Sequence, residues 1–81
     1  MTNDVRKRVH DLDVTLWVGK GGPEAVVDEL SAQLDDRDLV KARVLRAARG
    51  GTTVEAIADE LAAATDAEVV DVRGNTAVFH R

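Results

Sequence analysis

Val14-Thr15-Leu16-Trp17-Val18-Gly19-Lys20-Gly21-Gly22-Pro23-Glu24 joins three local signals without a gap. Five residues rich in β-branched and aromatic side chains read as a strand. The glycines of Gly19-Lys20-Gly21-Gly22 allow a turn tighter than other residues accept. Pro23 then stands at the first position of a helix, where its missing N–H costs nothing. Val26, Val27, Leu30 and Leu34 continue it at helical spacing. A strand, a glycine turn and a helix start of this kind leave backbone N–H groups pointing outward, and such a unit can hold an anion. By strict alternation, Thr15 and Trp17 face opposite to Val14, Leu16 and Val18.

Upstream, Val5, Val9 and Leu12 predict a short N-terminal helix that carries the densest basic run, Arg6-Lys7-Arg8. Downstream, Asp35-Asp36-Arg37-Asp38 breaks the apolar pattern and ends the first long helix. Leu39 to Leu45 then alternates, with Val40, Ala42 and Val44 on one face and Leu39, Lys41, Arg43 and Leu45 on the other. Arg46 and Arg49 extend the positive charge into a loop with Gly50 and Gly51, a flexible connection. Thr52 and Glu55 have capping-box spacing ahead of a helix through Val54, Ile57, Ala58, Leu61 and Thr65. Glu68–Arg73 and Thr76–His80 read as strands joined by the two-residue turn Gly74-Asn75. The expected fold class is α/β: one small domain over residues 1–81, with a mixed four-stranded sheet in the order βαβαββ. Right-handed crossovers place both long helices on one face. The other face is left open, or partly covered by the N-terminal segment.

Composition narrows the function classes. With no cysteine there is no disulfide framework, zinc-thiolate site or thiol nucleophile. No apolar run approaches the roughly 20 residues of a membrane span, and Met1 to Arg6 lacks a signal-peptide core, so a cytoplasmic location is expected. His10 and His80 are too isolated for a metal site. No Ser or Thr has a matching His and acid, and Lys20 lacks the longer phosphate-loop pattern. Neither an enzyme nor a cofactor is expected. The net charge of −4 argues against a polyanionic partner. Yet 10 of the 15 acids are Asp and only Lys7, Lys20 and Lys41 of the 11 bases are Lys, a balance like that of proteins from salt-loving archaea. On that reading the negative sum reflects the solvent and not the ligand.

Four pieces in order carry a family resemblance over about Leu12 to Arg81: Leu16-Trp17-Val18-Gly19-Lys20-Gly21-Gly22; Glu24 with Val26-Val27; Leu39-Val40-Lys41-Ala42-Arg43-Val44; and Gly74-Asn75-Thr76-Ala77-Val78-Phe79-His80-Arg81. Together they resemble the CRM domain, the RNA-binding module of chloroplast RNA splicing and ribosome maturation proteins, in its stand-alone YhbY form. The chain has only Pro23 between Gly22 and Glu24, where the family usually has one residue more, and His80 where a tyrosine is common. The resemblance implies a fold like the C-terminal domain of translation initiation factor 3, and a G-x-x-G loop comparable to that of KH domains. It also implies binding of structured RNA, with large ribosomal subunit precursors as the partner of the stand-alone type. By matching position, the loop residues are Gly19, Lys20, Gly21 and Gly22.

The candidate RNA-binding set is therefore Gly19, Lys20, Gly21 and Gly22 with Arg6, Lys7, Arg8, Lys41, Arg43 and Arg46. The rival reading of Lys41, Arg43 and Arg46 is an ordinary wet strand face paired with Asp35, Asp36 and Asp38. Trp17 and Phe79, the only aromatics, are expected in the core, with base stacking as the alternative for Trp17. Two other functions stay open: a protein-interaction module using the open sheet face or edge, and a small nucleotide- or phosphate-binding enzyme.

Overall fold

The computed structural model of the chain describes residues 11–81; the expected N-terminal helix, with Arg6, Lys7 and Arg8, lies outside the described residues. Strand β1 (Val14–Val18) leads through the glycine turn and a 3-10 turn, Pro23–Val26, into helix α1 (Val27–Asp36). Strand β2 (Leu39–Val44) and a second 3-10 turn, Arg46–Ala48, precede helix α2 (Val54–Thr65). Strands β3 (Glu68–Arg73) and β4 (Thr76–His80) close the order. The sheet runs β1-β2-β4-β3, with β1 and β2 parallel and the other pairs antiparallel.

Leu16, Val18, Val40, Ala42, Val44, Ala77 and Phe79 form the inner face of the sheet, packed with Leu30 and Leu34 of α1 and Val54, Ile57, Ala58 and Leu61 of α2. Both helices thus cover one face, as two right-handed crossovers require. On the opposite face, Leu39 and Val78 are buried together beneath Leu12. Among the described residues that face is covered only in part, and the cover sits away from the glycine turn.

Three local expectations are corrected. The N-cap of α2 is Thr53, whose Oγ1 accepts from the Ala56 N–H at 3.1 Å, while the Thr52 N–H is used by the Arg49 carbonyl. The helix starts where Val54 can be buried with Ile57 and Ala58, so the cap falls one residue later than the Thr52–Glu55 spacing suggested. Alternation also fails twice. The register of β1 against β2 slips between Val14 and Leu16, and Thr15 meets α1: its hydroxyl donates to Gln33 Oε1 at 2.6 Å, and Gln33 Nε2 donates to the Thr15 carbonyl at 2.9 Å. In β3 the register slips between Val69 and Asp71. An extra residue there lets Val69 and Val72, three apart, both pack on the core. The third correction is Trp17. Phe79 is fully buried, but Trp17 is 53% exposed.

At the end where both helices finish, Arg81 holds them together. Its Nε and Nη2 donate to the Thr65 carbonyl at 3.2 and 3.0 Å, Nη2 also to Ser31 Oγ at 2.8 Å, and Nη1 to Asp35 Oδ1 at 2.6 Å. The carbonyl at a helix end has no partner within its helix, so these bonds satisfy a group that Asp35 does not reach. Asp35 is largely exposed, and an exposed ion pair contributes little. Arg81→Ala should therefore lower unfolding stability by about 1–2 kcal/mol, and Asp35→Ala by well under ~1 kcal/mol. Urea midpoints at constant slope measure both; equal losses would assign the effect to the ion pair alone.

Candidate functional site

The parallel pairing of β1 with β2 brings Val18 beside Val44, and the antiparallel pairing of β4 sets Thr76 beside Arg43. One end of the sheet therefore collects the Gly19–Gly22 turn, the segment after β2, the Gly74-Asn75 hairpin and the starts of both helices. Backbone hydrogen bonds lock these pieces together. The Leu45 N–H donates to the Val18 carbonyl at 2.8 Å and the Val44 N–H to the Asn75 carbonyl at 2.7 Å. Within the first turn, the Gly22 N–H returns to the Gly19 carbonyl at 2.9 Å, leaving Lys20 exposed at its tip.

The glycines of this turn have different reasons to be there. Gly22 has φ 75° and ψ −175°, a region essentially reserved for glycine, and it aims the chain into Pro23. A Cβ on Gly21 would stand 2.9 Å from the Ala25 Cβ, so its hydrogen is what lets the turn close on the helix start. A Cβ on Gly19 would meet only Leu45 Cδ1 at 3.8 Å, an ordinary contact.

Charge is divided between the two ends of the sheet. Of the eight described Lys and Arg residues, five stand at the loop end: Lys20, Arg43, Arg46, Arg49 and Arg73. The positive ends of both helix dipoles lie there too, opposed by Glu24 in the 3-10 turn, by Asp28 and Glu29 in the first turn of α1 and by Glu55 in that of α2. Asp11, Asp13, Asp35, Asp36, Asp38, Asp66 and Glu68 flank the other end. Six residues of β2 separate the ends by roughly 20 Å, more than twice the ~8 Å over which charges are felt at physiological ionic strength. The loop end sets five bases against the four acids of the helix starts, whereas the far end sets Arg37 and Arg81 against seven acids, so the −4 of the chain is concentrated away from the glycine turn. Among the described residues, Lys20, Lys41, Arg43 and Arg46 form no ion pair. Asp35 and Asp36, the partners offered by the wet-face reading, sit at the wrong end for Arg43 and Arg46, and Asp35 is bonded to Arg81.

Of the sequence-predicted residues, the structure brings together Gly19, Lys20, Gly21, Gly22, Arg43 and Arg46. Lys41 is half-buried one row back, in register with Val14 and Val78. Arg49 and Arg73 join the cluster without having been candidates. Arg46 and Arg49 line a groove with Thr52, Thr53 and Gly74 at the start of α2, and the buried Arg49 Nε has no hydrogen-bond partner. Arg73 lies across Thr76 from Arg43. The Gly74-Asn75 turn announces its pairing with Thr76, but only the strand order brings β4 beside β2.

The chain resembles known proteins in sequence and in fold. The family model described as the CRS1 / YhbY (CRM) domain matches residues 2–81. The chain is 41% identical over 81 residues to "Probable RNA-binding protein MJ0652" of Methanocaldococcus jannaschii, with all of this chain aligned. It spans 60% of that relative's length. The solution structure of the hypothetical protein SAV1595 of Staphylococcus aureus, proposed as an RNA-binding protein, superposes with a TM-score of 0.77 at 30% identity. That match covers 98% of this chain and 81% of the other.

The distinct duties of the glycines are measurable. Gly22→Ala should cost about 1–3 kcal/mol of stability through its backbone conformation, and Gly19→Ala should stay within about 0.5 kcal/mol. Denaturant midpoints that rank Gly19→Ala as the more damaging would contradict the turn geometry.

Proposed function

Because the chain belongs to the CRS1 / YhbY (CRM) domain family, we propose that it binds structured RNA at the loop end of its sheet, with ribosomal RNA of large-subunit precursors as the target. The observation that carries this reading is the coincidence, at one end, of the glycine turn, two helix starts and five basic side chains in a chain of negative net charge. A phosphate backbone needs close approach, N–H donors and cations that are not already neutralised. Gly19 to Gly22 offers the first with no side chain except that of Lys20, the turns into α1 and α2 offer the second, and Lys20, Arg43 and Arg46 offer the third. Arg6, Lys7 and Arg8 would widen the basic surface, and Lys41 would reach it from the open face.

The resemblance in family supports a ribosomal partner, and the charge division supports a large, shaped target over a short strand. Several contacts made together at one end outweigh the repulsion of the whole molecule only when the ligand spans that end. Tagging the protein and sedimenting a lysate of its native host at that host's ionic strength tests the reading. Co-migration with free large-subunit particles, lost on replacing Lys20 and Arg46 by Asp, is the expected result. A parent protein that stays at the top of the gradient with no ribosomal RNA crosslinked overturns the ribosomal assignment. Lys20 and Arg46 are preferred to Gly21 for this purpose, since a side chain at Gly21 would disturb Ala25.

Salt dependence supplies a second check. Replacing Lys20, Arg43 and Arg46 each by Ala should weaken binding evenly across RNA sequences and flatten the log-affinity against log-salt slope by about 0.7–0.9 per lost phosphate contact. The far-end pair Asp11→Asn and Asp36→Asn should behave oppositely: little effect at about 150 mM salt, where the screening length is ~8 Å, and tighter binding at about 10 mM, where it is ~30 Å. An equal effect of the Asn pair at both concentrations would refute the separation of the two ends.

A further inference from the structure

Trp17 is more exposed than a core role allows, at 53%, and its neighbours in β1, Leu16 and Val18, already fill the inner face. Its position in the sheet is specific. In the hydrogen-bonded register Trp17 lies beside Arg43, Arg43 beside Thr76, and Thr76 beside Arg73, so an indole and two guanidinium side chains share one row of the open face. Leu45, two residues beyond Arg43 and 39% exposed, reaches toward the position a Gly19 Cβ would take. An apolar floor with a cation beside it thus runs from Trp17 to the glycine turn. The patch cannot be charged to the needs of the fold, since an edge strand is better protected from wrong pairing by a polar or charged side chain than by an exposed indole.

Resting on the RNA-binding reading above, we propose that Trp17 is the stacking platform for one unpaired base of the bound RNA, with Arg43 contacting the phosphate of the same nucleotide. Gly19 stands two residue steps beyond Trp17, with only Val18 between, roughly 7 Å along the strand and within the reach of a nucleotide from its phosphate to its base. If the backbone crosses the Gly19–Gly22 turn, a base swung out of its helix arrives over the indole. A paired base does not, because its faces are occupied by its neighbours in the helix and the A-form major groove admits no side chain. The ligand class is therefore an RNA helix interrupted by an unpaired nucleotide. The Arg43 cation beside the indole also fits a ligand that carries a phosphate next to each base.

Trp17 is the one tryptophan of the chain, so its own emission reports the contact. The test titrates the protein with a blunt RNA duplex of about 16 base pairs, the span of a shape-reading domain, and with the same duplex bearing a single bulged adenine. The bulged duplex should bind more tightly and quench the emission, whereas the blunt duplex should leave it nearly unchanged. Trp17→Ala should lose about 5- to 100-fold in affinity for the bulged duplex and little for the blunt one, and Trp17→Phe should recover most of the loss. Thermal unfolding confirms that both variants remain folded. Bulged RNA that binds with unchanged emission, or equal losses on the two duplexes, overturns stacking while leaving RNA binding in place. A parent protein that binds neither duplex nor ribosomal RNA overturns the RNA reading as well. Self-association without RNA that disappears in Trp17→Ala would instead make the patch a contact between copies.

Discussion

Both crossovers of the sheet step in the same direction, from β1 to the adjacent β2 and from β2 past β4 to β3. Right-handed connections stepping one way must lay their helices on one face. Helices that connect parallel strands also begin at the same end of the sheet and finish at the same end. From that single constraint follow the position of the core, the gathering of three loops at one end and the alignment of two helix dipoles. The glycine turn is the sharpest consequence. Only a few residues are available to turn from the edge strand into α1, and Gly22 in its glycine-only conformation makes the corner.

The opposite end carries the cost of this arrangement. Both helices present carbonyl groups there, and Asp35, Asp36 and Asp66 add negative charge to ends that favour cations. Arg81 answers with one guanidinium that bonds the last residue of α2 and two residues of α1. A single side chain from the end of β4 thereby closes the α1–α2 layer onto the sheet. The acids at this end keep their distance from the turn, so most of the chain's acidic excess does not compete with the cations at the loops.

How much of this was legible depended on whether the cause was local. The bounds of β1, the end of α1 at Asp36 and the Gly74-Asn75 hairpin follow from neighbouring residues, and the sequence announces them. The two bulges do not, because they arise from the need of Thr15 to meet Gln33 in another element and of Val69 and Val72 to share a core they do not themselves define. The cap at Thr53 is similar: Thr52 and Thr53 are equivalent by type, and burial of Val54 decides between them. The glycine turn, Lys20, Arg43 and Arg46 were readable as members of a pattern. Arg73 and Arg49 were not, since their membership depends on β4 pairing with β2 and on the fold of the segment after β2. Trp17 reads as core because it is an aromatic in an apolar run, and nothing in that run marks it as the edge strand that the sheet order makes it.

The division of charge also changes how the protein meets a polyanion. As a point charge of −4 it would be pushed away in every orientation. With cations in slight excess at one pole and carboxylates in large excess at the other, it experiences a torque as well as a force: the field of a nucleic acid turns the loop end inward and the acidic pole outward before contact. Encounters become fewer, but a larger share arrives loop-first, and approaches by the acidic pole are rejected at long range. Orientation is thus selected during diffusion, by the arrangement of charge and not by its total.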